Sequence, residues 1–144
     1  SYLLILILTP NNHSLVKFKN ENVSRLAPCE LNSKSRYEKN LVKLIKQLRK
    51  DFNSPNAKFV CATLGQTKKG DTSNGGKILE AMFSVDGESG KYPEFKGNVA
   101  AVYTHPLSKG GSSGGHYGGN AETYMNVGEA MGKAMAKLLA SDRK

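Results

Sequence analysis

Six glycines, at positions 110, 111, 114, 115, 118 and 119, surround one histidine in GGSSGGHYGGNAETY, residues 110–124. Imidazole takes and returns a proton near neutrality, because its ordinary pKa is about 6.5. Glycines strip a segment of side-chain bulk and widen its backbone choices. His116 is therefore a candidate general base of the kind that acyl transfer sets beside a hydroxyl nucleophile. Ser112 and Ser113 lie near it in sequence. A glycine loop is a poor substitute for the rigid strand-to-helix elbow that holds a nucleophile, so neither serine is assigned that role.

Other reactive groups give weaker patterns. His105 and His116 have no helix-spaced partner and no cysteine pair beside them, so no metal site and no cofactor are expected. His13 reads as an ordinary hydrogen-bonded or exposed histidine. Cys29 and Cys61 form neither a disulfide framework nor a zinc signature, and Cys61, inside an apolar run, reads as a small buried hydrophobe. Residues 65–72, GQTKKGDT, approach the phosphate-binding pattern G-x-x-x-x-G-K-[S/T], but Asp71 stands where the lysine should be. A carboxylate there repels phosphate, which excludes a nucleoside triphosphatase of this type.

The elements that must position His116 are legible from periodicity. SYLLILILTP carries seven apolar residues, Tyr2 to Leu8, then a proline. That run is far short of the roughly 20 residues a membrane span needs and reads as a buried strand. Residues 11–34 are polar and aperiodic, a long loop. Ser35-Arg36-Tyr37-Glu38 has capping-box spacing, and Tyr37, Leu41, Leu44, Ile45, Leu48 and Phe52 then share one helical face. Asn53-Ser54-Pro55 ends that helix. Lys58 to Leu64 and Asn98 to Thr104 read as buried strands, and Lys77 to Val85 as a short helix. A last helix runs from Ala121 to Leu139, with Tyr124, Gly128, Met131, Met135, Leu138 and Leu139 along one stripe. Gly128 and Gly132 are expected to let a neighbouring layer approach closely.

Helices alternating with apolar strands imply an α/β fold with a parallel sheet covered on both faces. Ligands of such sheets bind beyond the carboxyl ends of the strands. Two loops leave those ends, one at Gly65-Gln66-Thr67 and one at His105, the second running on to His116 and Tyr117. Gln66, His105 and Tyr117 are accordingly candidate substrate contacts beside His116.

The formal charge is +9, and it is uneven. Residues 1–72 hold 13 Lys/Arg against 5 Asp/Glu, whereas residues 73–144 hold 8 against 7. Most of the excess falls on the first helix and reads as a solvated face; no nucleic-acid partner is expected.

Two segments carry a family resemblance: RYEKNLVKLIKQLRKDFNSPNAKFVCATLGQT and GNVAAVYTHPLSKGGSSGGHYGGNAETYMNVGEAMGKAMAKLL. They resemble the C-terminal part of sialate O-acetylesterase-like proteins, carbohydrate esterases among the SGNH (GDSL-like) hydrolases. The resemblance covers about residues 35 to 140 and is strongest from Asn98 onward. It implies a partial three-layer α/β/α flavodoxin-like sheet, residues 35–144 being the C-terminal portion of the hydrolase domain and 1–34 an atypical N-terminal segment. It also implies hydrolysis of acetyl esters on carbohydrate, with a secreted or periplasmic location. The family's Asp-x-x-His block places its base at His116, but Ser113 stands where the aspartate would be. Residues 1–34 contain no nucleophilic serine block and no glycine or asparagine block of the oxyanion hole. A truncated, inactive or very weak acetylesterase is the expectation, and a non-catalytic glycan- or anion-binding domain on the same scaffold is the alternative.

Overall fold

The computed structural model describes residues 5–8, 33–109 and 117–141. The expected loop at 11–34 falls almost wholly outside the described residues, as do His13 and Cys29. The elements in order are β1 (Ile5–Leu8), α1 (Ser33–Asp51), β2 (Lys58–Ala62), α2 (Asn74–Ser84), β3 (Val99–Val102) and α3 (Ala121–Ala140), with short 3₁₀ turns between some of them.

β2 is the centre of a three-stranded sheet of order β1-β2-β3. Its whole sequence, KFVCA, is buried. A strand buried on both faces needs a continuous apolar run and hydrogen-bonded neighbours on both edges. β3 supplies one neighbour in parallel, with Phe59 opposite Val99 and Ala62 opposite Val102. β1 supplies the other, and it runs antiparallel, with Ile5 opposite Cys61 and Leu8 opposite Lys58. The all-parallel expectation is corrected here: only β2 and β3 are parallel. Apolar character marks a strand as buried but does not encode its direction, and either ladder satisfies the backbone of an edge.

The alternation of β2 divides the core. Phe59 and Cys61 join Leu41, Ile45 and Leu48 of α1, Met82 of α2, and Val85, Phe95 and Val99. Val60 and Ala62 join Val127, Met131, Met135 and Leu138 of α3. Each large side chain removed from water here contributes about 1.5–3 kcal/mol. Cys61 is fully buried and free, and burial pushes its thiol up to about 12. It packs as the small hydrophobe its sequence context indicates.

The amino ends of the strands are tied by Arg49. Its guanidinium donates to the Ala57 carbonyl at 3.0 Å and to Asn98 Oδ1 at 2.6 Å, and stands over the Phe95 ring. One side chain thus joins the last turn of α1 to the approaches of β2 and β3. Asn53 then takes a left-handed conformation, φ 48°, one that asparagine tolerates at a helix end.

The outer edge of β3 is covered by the chain that follows α2. The Gly87 N–H donates to the Val99 carbonyl at 2.9 Å, and the Ala101 N–H donates to Asp86 Oδ1 at 2.9 Å. A Cβ at Gly87 would lie 2.1 Å from the Phe95 carbonyl oxygen, so only glycine permits that approach.

Four local readings are revised. α1 begins at Ser33, so Ser35 lies within its first turn rather than at a cap. Glu38 is buried, and it accepts from Tyr92 Oη at 2.5 Å and pairs with Lys91 Nζ at 2.7 Å. Phe52 lies past the end of α1 and is 47% exposed. On α3 the buried face is Thr123, Val127, Met131, Met135 and Leu138, one residue out of step with the expected stripe at its start. Tyr124 and Leu139 are exposed, and a Cβ on Gly128 or Gly132 would meet open space instead of a packed layer.

Two stability predictions follow from these positions. Gly128→Ala should stabilise the protein by about 0.5–1 kcal/mol, because an exposed helical glycine costs backbone entropy. Urea unfolding checks it, and destabilisation would restore the close-packing interpretation. For Glu38, burial raises the carboxyl pKa, but the Lys91 ammonium and the Tyr92 hydroxyl outweigh burial and hold it below the ordinary value. A depressed carboxylate stabilises the fold above its unfolded pKa of about 4.3 and loses that contribution as pH falls through the lower folded value. Glu38→Gln should therefore cost about 1.5–3 kcal/mol at pH 7. The gap from the parent should close as the pH of the unfolding titration falls below about 4.

Candidate functional site

The carboxyl ends of β2 and β3 are locked together by two threonines. Thr104 Oγ1 donates to the Thr63 carbonyl at 2.8 Å, and the Thr104 N–H donates to Thr63 Oγ1 at 3.2 Å. Both side chains are buried, so each polar atom needs its partner. This pair continues the parallel ladder past the last strand residues and fixes where the two outgoing loops diverge.

His105 follows Thr104 directly. Its Nδ1 lies 2.8 Å from the Gly65 carbonyl oxygen. A carbonyl only accepts, so Nδ1 carries the proton in this bond. The imidazole also stacks on Tyr103, centroids 6.1 Å apart. Tyr103 is itself fixed: its ring meets Phe83, Lys69 Nζ lies 5.0 Å from its centroid, and its hydroxyl accepts from the Lys69 N–H at 3.0 Å. The loop leaving β2 is thereby fastened to the loop leaving β3 at two points, Gly65 to His105 and Lys69 to Tyr103. Gln66, between them, is exposed.

Tyr117 closes the group from the third side. A Cβ placed on Gly65 would fall 2.0 Å from Tyr117 Cε1, so the phenol ring occupies the space a side chain at 65 would need. Its hydroxyl lies 3.5 Å from Thr104 Oγ1, and its ring meets Tyr124 edge-on at 5.3 Å. Burial of the ring raises the phenol pKa. The backbone at Tyr117 is left-handed, φ 49°, which costs a non-glycine residue roughly 1–2 kcal/mol. Ring packing against Gly65 and Tyr124 holds it there.

The chain on the other side of the glycine loop is anchored as well. Lys109 N–H donates to Thr123 Oγ1 at 2.8 Å, and Asn120 caps α3 by accepting from the Thr123 N–H at 2.7 Å. The Lys109 ammonium pairs with Glu122. Lys109 is therefore held to the start of α3, and Tyr117 to the strand ends. Residues 110–116, and with them the candidate base His116, lie outside the described residues.

Of the four candidates, the structure brings His105 and Tyr117 together around Gly65, with Gln66 the next residue along. Their grouping includes Gly65, Thr63, Thr104 and Tyr103, which the sequence did not single out as site residues. The available signal was position: each stands at or just past the last residue of a buried strand, where ligands of parallel sheets gather.

The near-match to a phosphate loop has a different use. Asp71 Oδ1 accepts from the Ser73 N–H at 2.7 Å, and this backbone hydrogen bond lowers its pKa. The Asp71 carbonyl also fills the space a Cβ on Gly76 would take, at 1.7 Å. The loop folds onto its own helix. Among the described residues no group of three or more His, Cys, Asp or Glu could hold a metal ion, and no helix is long and apolar enough to cross a membrane.

No protein-family model, curated protein or solved structure matches this chain.

The packing of Tyr117 on Gly65 yields a double-mutant test. Gly65→Ala alone should destabilise by about 1–3 kcal/mol through overpacking. Combined with Tyr117→Ala it should cost less than the two single changes added, because the clash is gone. Additive losses in urea unfolding would show that the two residues are not coupled.

Proposed function

We propose that this chain is the base-bearing portion of a carbohydrate O-acetylesterase of the SGNH type, with a flavodoxin-like α/β/α architecture. The observation that carries this reading is the seat of Tyr117 on Gly65, at the carboxyl ends of two parallel strands. Tyr117 directly follows His116 in sequence, and Tyr117 is anchored at the end of the sheet where ligands of such folds bind. The division of the core between α1 and α2 on one side and α3 on the other supports the three-layer architecture.

In this reading His116 accepts the proton of a serine hydroxyl as that oxygen attacks the acetyl carbonyl. It returns the proton to the departing sugar oxygen, and then takes one from water, whose oxygen displaces the serine and releases acetate. Ser113 cannot serve as the orienting acid, since a hydroxyl carries no negative charge. His105 and Tyr117 line the acyl or sugar side of the site, and Gln66 offers an exposed amide at its mouth. No nucleophilic serine block stands in residues 1–34. Loss of that residue in a serine hydrolase costs on the order of 10⁶ in kcat, so the chain by itself is expected to be inactive or nearly so.

Ligand recognition and turnover test this separately. The chain is titrated with a per-O-acetylated methyl glycoside and with the same glycoside deacetylated, while backbone amide resonances are followed. Selective shifts at Gln66, His105, His116 and Tyr117 with the acetylated compound are expected. Equal responses to both compounds, or shifts elsewhere, would overturn the site. Turnover of p-nitrophenyl acetate should stay at the level of the buffer, and turnover that survives His116→Ala would remove that residue from the mechanism.

A further inference from the structure

α1 carries Arg36, Lys39, Lys43, Lys46 and Lys50 at successive steps of three, four, three and four residues, all exposed. That spacing keeps the five on one narrow stripe of the helix, about 21 Å long from the 1.5 Å rise per residue. Lys46 is partly neutralised by Glu94 at 3.1 Å. The other four have no carboxylate within ion-pair distance among the described residues: Glu38 is taken by Lys91 and Tyr92, Glu80 by Lys34, and Asp51 by a hydrogen bond from Gln47. Like charges at one-turn spacing destabilise a helix in isolation. Here the opposite face of α1, with Leu41, Ile45 and Leu48 buried, supplies the stability that this row of cations opposes.

We propose that this stripe is a docking surface for an acidic polysaccharide bearing one carboxylate per sugar, a polyuronate. Charge complementarity requires a polyanion, and the straight row, with a charge every 4.5–6 Å by helix geometry, matches a chain that repeats its carboxylate at each ring. Single-stranded nucleic acid fits less well: the stripe has no aromatic residue to stack bases. A lipid surface fits less well because the apolar face of α1 is spent in the core, leaving nothing to insert. The choice of a glycan rests on the carbohydrate reading above and extends it from acetyl esters in general to acetylated acidic polymers.

The position of the stripe agrees with that extension. α1 leads into β2, and its last turn is held to Ala57 and Asn98 at the amino ends of the strands. Its first turn therefore stands toward the carboxyl ends, where Gly65, His105 and Tyr117 meet. A polymer lying along the stripe is led from the far end of the sheet toward the site, with Arg36 nearest to it.

Binding of unacetylated polygalacturonate, measured by titration at low and moderate salt, tests the proposal. The triple variant Lys39→Gln, Lys43→Gln, Lys50→Gln should bind at least tenfold more weakly, with a flatter dependence on salt. Far-ultraviolet dichroism and the urea midpoint report whether the variant folds, and the single variant Lys43→Glu gives the same reading with less perturbation. A control triple at Lys77, Lys96 and Lys133, of the same charge change, should keep its affinity within about twofold of the parent. Equal losses in the two triples would overturn the proposal in favour of net charge. Tighter binding to duplex DNA or to phosphatidylglycerol vesicles than to polygalacturonate would also overturn it. Polygalacturonate binding without any response to acetylated glycoside would leave the stripe standing and remove the esterase site. The reverse result would do the opposite.

Discussion

Everything in this molecule is arranged around a strand that is buried on both faces. β2 exposes neither side to water, so its backbone must be paired along both edges and its side chains covered from both directions. The fold meets that demand with five different elements. β1 and β3 take the edges, α1 with α2 covers Phe59 and Cys61, and α3 covers Val60 and Ala62. The two ends of the parallel β2–β3 pair are then closed by unlike chemistry. A charged side chain, Arg49, gathers carbonyls at the amino ends, whereas neutral hydroxyls, Thr63 and Thr104, lock the carboxyl ends. The carboxyl ends are thus joined by uncharged groups and the amino ends by a cation.

What could be read from sequence was what periodicity encodes. The two parallel strands, β2 and β3, and the last helix stand close to where their apolar runs put them, because burial and repeat length agree there. Helix boundaries were less legible where the deciding contact is distant. Glu38 looks like a capping residue at local range, yet its partners, Tyr92 and Lys91, come from more than fifty residues away. The face of α3 was displaced at its start because Thr123 is polar by type but buried in fact, held by its bond to Lys109. The expected stripe accordingly starts at Tyr124 and Gly128, whereas the buried face starts at Thr123 and Val127.

The site shows the same division. Gln66, His105 and Tyr117 were reachable from the rule that ligands gather at strand ends, and the structure places His105 and Tyr117 on the same residue, Gly65. Gly65 itself was not legible as the meeting point. Its role depends on the ring of a residue fifty-two positions later, in a backbone conformation that no local propensity favours for tyrosine. The direction of β1 was equally closed, since it follows from the geometry of an edge and not from composition.

The part His105 plays at the strand ends follows from its hydrogen bond. His105 gives its Nδ1 proton to the Gly65 carbonyl and rests on Tyr103, which is held in turn by Lys69 and Phe83. A ring clamped through Nδ1 has one nitrogen left, and any movement toward a substrate would break a bond that holds the β2 loop in place. Such a ring suits positioning: it keeps Gly65 where Tyr117 can pack. The order of dependence therefore runs from the Thr63–Thr104 lock to His105, from His105 to Gly65, and from Gly65 to Tyr117.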